Sequence, residues 1–132
     1  MEKLFLAMIL GHFVGDYLLQ SRAMAVQKSA PGLAGLAWCG LHCVLYTAAI
    51  ALFAWRAEPF FLALVFASHF PIDRWSLASK WLDLIRGRNL LAAHASTSPY
   101  RDLEVAFACL VYAVADNTMH AVLLWLIAGY LA

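Results

Sequence analysis

The chain has 132 residues, of which 64% are hydrophobic and only 13% are charged, and its formal net charge is +1. This composition excludes an ordinary soluble domain, which could not cover so much apolar surface, and the near-zero net charge excludes a nucleic-acid partner. We expect a single all-α domain over residues 1–132, embedded in a lipid bilayer.

Four apolar segments are long enough to cross a bilayer as helices. The first contains polar residues and lacks a small-residue cleavage site, so we expect a mature helix rather than a signal peptide. The short turn before Pro59 makes the second and third segments antiparallel neighbours. The sequence therefore predicts an integral-membrane four-helix bundle, with spans at about residues 3–21, 34–56, 59–75 and 104–131.

The two longer connections differ in character. Residues 21–35 are polar and contain Pro31, which predicts a loop. Residues 74–88 place Trp75 and Trp81 on an apolar face opposite charged residues, which predicts an amphipathic helix in the headgroup region between spans three and four. An extramembrane helix packed on the bundle is the alternative. Residues 89–102 are expected to form a loop.

Basic residues are distributed unevenly between the two sides of the predicted bundle. Seven of the nine lie on the side where the first and third spans end, and only Lys3 and Arg56 lie on the other. Cytoplasmic connections carry the excess of lysine and arginine in membrane proteins. Both long connections are therefore expected in the cytoplasm and both termini outside it.

Histidine and aspartate recur at a spacing of four residues inside the apolar segments. Residues spaced i, i+4 lie on one face of a helix and can point at one place. An ionised aspartate near the centre of a membrane helix costs roughly 2.5–3.5 kcal/mol, so three of them require compensation. Histidine and aspartate are also common metal ligands. The pairs are His12/Asp16, His69/Asp73 and Asp116/His120, and the second segment adds His42.

The order within each pair follows the direction of its helix. Histidine comes first in spans one and three, and aspartate comes first in span four, which runs back. All three aspartates then fall one helical turn, roughly 5–6 Å, to the cytoplasmic side of their histidines. The seven side chains are expected to form one site for one or two divalent transition metals, with zinc the default and manganese or iron also compatible. A metal-free network of ion pairs is the structural alternative.

Such a site predicts a metal-dependent hydrolase that acts on a lipid or amphiphilic substrate at the cytoplasmic side. Asp73, Asp116 and His42 are the candidate catalytic residues, because a ligand not fully committed to metal can move protons. The alternatives are a metal-ion or proton transporter subunit, which would require a homo-oligomer, and a structural subunit braced by metal. Four further side chains are candidates for supporting contacts: Gln20, Tyr46, Arg74 and Tyr112.

Four segments, GHFVGDYLLQ, LHCVLYT, SHFPIDRW and DNTMH, resemble the motifs of a family of small bacterial and phage-encoded membrane proteins of unknown function. The motifs of that family are HxxGDxLLQ, HxxxY, SHxxID and DxxxH. They cover the seven proposed ligands together with Gly15, Gln20 and Tyr46. The resemblance implies a multi-pass protein of the bacterial inner membrane, and it implies no particular reaction.

Overall fold

The computed structural model describes residues 1–86 and 90–132, which form seven α-helices and one π-helix and contain no strand. The all-α class predicted from the sequence is therefore confirmed for the described residues. The elements in chain order are α1 (Glu2–Phe13), the π-helix (Val14–Leu18), α2 (Arg22–Gln27), α3 (Gly32–Ala54), α4 (Pro59–Arg74), α5 (Leu77–Arg86), α6 (Leu90–Ala95) and α7 (Arg101–Tyr130).

The connections contain more helix than the sequence predicts. The predicted loop at 21–35 includes α2, where Ser21 Oγ accepts a hydrogen bond from Met24 N at 3.3 Å. The predicted loop at 89–102 includes α6. Both loop predictions are wrong over these residues, because α2 packs on α3 and α6 packs on α7, and such packing stabilises helices too short to form alone. The amphipathic helix is α5, and its predicted continuation to residue 88 lies outside the described residues.

Within residues 1–86 and 90–132, two helices, α3 and α7, are long and apolar enough to cross a membrane, judged by length and composition. The first predicted span is divided between α1 and the π-helix, and the third corresponds to α4, which has 16 residues. Together α1 and the π-helix cover 17 residues, the lower limit of the 17–25 residues of a typical spanning helix, and α4 is one residue shorter than that limit. Four crossing helices thus remain a prediction, which the length of α3 and α7 supports in part.

The apolar core fills the end of the bundle that contains both chain termini. There α3 packs against α1 and α4, and α7 packs against the same two helices. The buried side chains of this core come from the start of α1 and α4 and from the end of α3 and α7: Met8, Ile50, Phe61, Val65, Leu124 and Ile127. The histidines and aspartates lie beyond this core, in the half of the bundle next to the longer connections.

Two glycines bring the first helical segment into close contact with α3. A Cβ on Gly11 would lie 2.6 Å from Ile50 Cα, and a Cβ on Gly15 would lie 3.0 Å from Tyr46 Cα. Glycines at this spacing allow helix backbones to touch in membrane proteins. The contact holds the polar residues of the first segment against those of α3.

Replacement of Gly11 by alanine is expected to lower the free energy of unfolding by about 1–3 kcal/mol, because the backbone of Ile50 cannot move aside cheaply. The control is Gly40→Ala on α3, where an added Cβ meets nothing within 4 Å. That control is expected to be neutral or stabilising by up to about 1 kcal/mol. Thermal unfolding of the purified proteins in detergent measures both changes, and equal midpoints for the two variants would contradict the close contact.

Candidate metal centre

The first aspartate of the predicted site, Asp16, lies in the π-helix. There Leu19 N donates to Val14 O at 3.0 Å, a hydrogen bond that spans five residues and widens the turn. Asp16 Oδ2 keeps the i, i+4 contact with His12 Nδ1, at 3.3 Å. Isolated π-helical turns are frequent at functional sites, although nothing in the local sequence marks this one.

The other oxygen of Asp16 faces histidines from two neighbouring helices. Asp16 Oδ1 lies 3.2 Å from His42 Nε2 on α3 and 3.6 Å from His69 Nε2 on α4. The two histidine nitrogens are 2.9 Å apart, and both rings are buried. Three helical segments therefore converge on one point in the interior of the bundle.

Asp73 approaches the same two histidines. Its Oδ2 lies 3.0 Å from His42 Nε2 and 3.1 Å from His69 Nε2, and the residue is only 3% exposed. Ligand atoms held 2.0–2.2 Å from a zinc ion are separated from one another by about 3.3 Å. The separations of 2.9 to 3.6 Å among these nitrogens and carboxylate oxygens are of that size. They are therefore compatible with ligands around a single ion.

His120 on α7 has the hydrogen-bonding pattern of a metal ligand. Its Nδ1 donates to the backbone oxygen of Asp116 at 2.9 Å, which leaves the lone pair on Nε2. That Nε2 atom is buried, lies 4.0 Å from Asp73 Oδ1, and has no hydrogen-bond partner within the described part of the chain. The Asp116 carboxylate lies 3.8 Å from Nδ1 of the same ring. A buried nitrogen without a partner is costly, and a metal ion would relieve that cost.

Within the described residues, three overlapping groups have ligand atoms that all lie within 4.8 Å of one another. Asp16, His69 and His120 each belong to two of these groups, so a carboxylate shared between two ions is compatible with the arrangement. The sequence predicts that the histidines and aspartates lie one helical turn apart. Their ligand nitrogens and oxygens are nevertheless close together, because the side chains reach across that turn. The groups are Asp16/His42/His69, His69/Asp73/His120 and Asp16/Asp116/His120.

His12 is the one predicted ligand that belongs to none of these groups. Its Nε2 lies 2.9 Å from Asn117 Oδ1, and its Nδ1 lies 3.2 Å from the Tyr46 hydroxyl. Both ring nitrogens thus have protein partners, and His12 lies beside the cluster in contact with Asp16. In this position the ring orients Asp16 and links it to α3 and α7. Its role as a direct ligand remains a prediction.

Two of the predicted supporting side chains contact the centre. Gln20 Nε2 lies 3.1 Å from His42 Nε2, and the Tyr46 ring stacks on the His69 ring with centroids 3.6 Å apart. Arg74 was a candidate partner for Asp73, but the cation that contacts Asp73 is Lys28. Lys28 Nζ donates to Asp73 Oδ2 at 2.7 Å.

Sequence analysis missed Lys28 and Asn117 for different reasons. Lys28 follows α2 in a segment predicted as a loop, and its contact with Asp73 spans 45 residues of sequence, so no local pattern indicates it. Asn117 is adjacent to Asp116, and neighbouring positions on a helix point in different directions. Because the side chain of Asn117 points in a different direction from that of Asp116, it reaches His12 on α1.

A pocket of about 230 Å³ connects the cluster to the surface between the first segment, α2 and α7. Two of the candidate ligands, Asp16 and Asp116, form part of its wall. Catalytic metal sites keep a position open to water or substrate, and the group with Asp116 borders this opening. The other polar lining residues are Tyr17, Gln20, Lys28 and Tyr112.

Comparison with known proteins gives one result. Among curated proteins and solved structures, none matches the chain. A family model described as "Protein of unknown function (DUF3307)" matches residues 4–131, which is nearly the whole chain and includes every residue of the centre. The chain therefore belongs to the DUF3307 family.

Proposed function

We propose that the protein is an integral-membrane metalloprotein whose centre hydrolyses a lipid or another amphiphilic substrate. The observation that carries the proposal is the convergence of histidine nitrogens and carboxylate oxygens from the π-helix, α3, α4 and α7, at separations of 2.9 to 4.0 Å. Buried charges on this scale are destabilising when left uncompensated. Metal binding would compensate them and stabilise the fold at the same time.

The outer surface supports a membrane location. Val44 and Leu52 on α3, and Leu110, Val114 and Leu126 on α7, are each more than half exposed. Exposure of such an apolar surface to water is energetically unfavourable, whereas its exposure to the hydrocarbon of a bilayer is not. We infer a multi-pass protein of the bacterial inner membrane, with α5 and the basic connections in the cytoplasm and both termini outside it.

We infer that six side chains bind the metal, because each belongs to at least one of the three groups. Zinc is the default for a mixed histidine and aspartate set, and manganese or iron is also compatible. A bound ion supplies Lewis-acid activation of water. Asp116 lines the open pocket, which supports a role for it in taking a proton, and the burial of His42 and Asp73 supports a role for them in holding the metal. The six are Asp16, His42, His69, Asp73, Asp116 and His120, with His12 as a seventh candidate beside them.

Transport through a single chain has less support than hydrolysis. Met8, Ile50, Phe61 and Leu124 are almost fully buried and fill the bundle between the centre and the end with the termini. Protein interiors of this kind are close-packed, so an ion would have to cross an apolar layer. The remaining alternative is a structural subunit that binds metal for stability and catalyses no reaction. A measurement of substrate turnover distinguishes it from an enzyme.

Elemental analysis of the purified protein is expected to find about one or two zinc ions per chain, as the overlapping ligand groups allow. His42→Ala should lose most of this metal, because the ring lies between Asp16 and Asp73. The control is His94→Ala, which removes the exposed histidine of α6. Absence of a stoichiometric transition metal, or equal metal loss in the control, would overturn the metal centre.

Turnover is tested with a bacterial lipid extract, followed by mass spectrometry of the lipids. The zinc-loaded protein should deplete one lipid class and release its hydrolysis product. Asp116→Asn should slow this by about 100-fold or more, the usual effect of losing a general base. If zinc binds but wild type and Asp116→Asn leave the extract equally unchanged, the centre is structural and the hydrolase proposal fails.

A further inference from the structure

Two openings in the surface lie side by side next to the metal centre. The polar pocket of about 230 Å³ shares the lining residues Tyr17 and Ala113 with a groove of about 390 Å³ that lies between α1 and α7. The groove extends from these shared residues toward the chain termini, because it includes residues earlier on α1 and later on α7. Its apolar lining comes from Ile9, Phe13, Val114 and Ala121.

We propose that the polar pocket binds the phosphate group of an amphiphile and that the groove between α1 and α7 binds its alkyl chain. This inference rests on the proposed metal centre and names the substrate class for it. The predicted orientation places the pocket near the cytoplasmic face and directs the groove toward the middle of the bilayer. A lipid of the cytoplasmic leaflet has its headgroup and chain arranged in the same way, so it could enter sideways between α1 and α7.

Lys28 supplies the positive charge that a phosphate group requires. Its ammonium donates to Asp73 Oδ2 at 2.7 Å, and its side chain also lines the pocket and stays 14% exposed. A divalent ion bound to Asp73 would repel this ammonium over a short distance. The pocket is the open direction in which Lys28 can turn. Lysine is a common phosphate ligand, and in that position it would bridge the centre and the substrate.

The balance of charge favours an anionic headgroup only when metal is bound. Without metal, three carboxylates outnumber the single ammonium in contact with them among the described residues, and the site repels anions. Two divalent ions reverse that sign, so the loaded centre attracts a phosphate. The pocket is smaller than the 300–1,000 Å³ that hold a whole drug-sized ligand, so it accepts a headgroup and leaves the chain in the groove.

Calorimetric titration tests both halves of this proposal, with protein in dodecyl maltoside, whose head is neutral and whose alkyl chain matches that of the probe. Dodecyl phosphate is expected to bind the zinc-loaded protein about tenfold more tightly than inorganic phosphate, which is about 1.4 kcal/mol. Lys28→Ala should weaken both ligands about tenfold, while Lys28→Arg should keep most of the affinity because the charge is retained. Chelator-treated protein should bind neither ligand.

The groove is tested with a side chain large enough to fill it. Val114→Trp should weaken dodecyl phosphate and leave inorganic phosphate unchanged, whereas Leu126→Trp, an exposed position of α7 outside the groove, should change neither. Equal affinities for the two ligands, or no effect of Lys28→Ala, would overturn this inference while zinc binding and the proposed function stand. Absence of bound zinc would overturn both the proposed function and the inference.

Discussion

Replacement of Asp73 by asparagine is expected to abolish metal binding and, when both proteins are compared without metal, to lower the free energy of unfolding by about 3 kcal/mol. Asp73 Oδ2 is 2.7 Å from Lys28 Nζ and within 3.1 Å of the nearest nitrogens of His42 and His69. Asparagine keeps the shape of the side chain but removes the charge that these groups require. The loss lies at the low end for a broken buried ion pair, because Lys28 can turn into the adjacent pocket.

The matched control for this prediction is Asp102→Asn at the start of α7. The Asp102 side chain is 96% exposed and lies 3.5 Å from Arg101, so the pair contributes at most about 1 kcal/mol. Elemental analysis and unfolding in a denaturing detergent are measured on both variants. Full metal content and an unchanged unfolding midpoint in Asp73→Asn would remove Asp73 from the site.

Much of the convergence of the polar residues could be predicted, because it depends on helix periodicity and on the direction of each helix. His69 and Asp73 are one turn apart on α4, and their side chains lie 3.1 Å apart although Pro71 stands between them. His42 has no such partner on α3, yet an isolated histidine in an apolar helix needs a polar contact. That need is met by Asp16 and Asp73 from two other segments.

The parts that could not be predicted depend on contacts distant in sequence. The wide turn that orients Asp16 arises in the π-helix, where the close approach of Gly15 to α3 constrains the backbone. The helix α2 is short, and its packing on α3 brings Lys28 to Asp73. Neither feature has a periodic signal, because a single turn of helix is too short to show one.

The division of the bundle into two halves links the fold to the proposed chemistry. One half is a close-packed apolar core around Ile50 and Phe61, which fixes the helices relative to one another. The other half contains charged groups that cannot pack in this way. The close contacts of Gly11 and Gly15 with α3 keep the first helical segment and α3 aligned from the core into this half. The fold therefore holds these histidine and aspartate side chains at separations that are close enough to bind a metal ion.

Removal of metal from the wild-type protein is expected to lower the free energy of unfolding by about 4 kcal/mol, relative to protein at a free zinc concentration 1,000 times the dissociation constant. The physical reason is that His120 Nε2 is buried without a hydrogen-bond partner within the described residues, and that three carboxylates share few positive partners. For a chain of 132 residues, this change corresponds to a shift in the unfolding midpoint of roughly 15 °C.

The same measurement separates a metal centre from a network of ion pairs. Zinc should raise the midpoint of His94→Ala as it does for wild type, because that histidine lies on α6 outside the cluster, and it should have no effect on His42→Ala. A network held only by His–Asp contacts predicts that chelator and zinc change nothing in wild type. That result would replace the metal centre with a network of ion pairs between protein side chains.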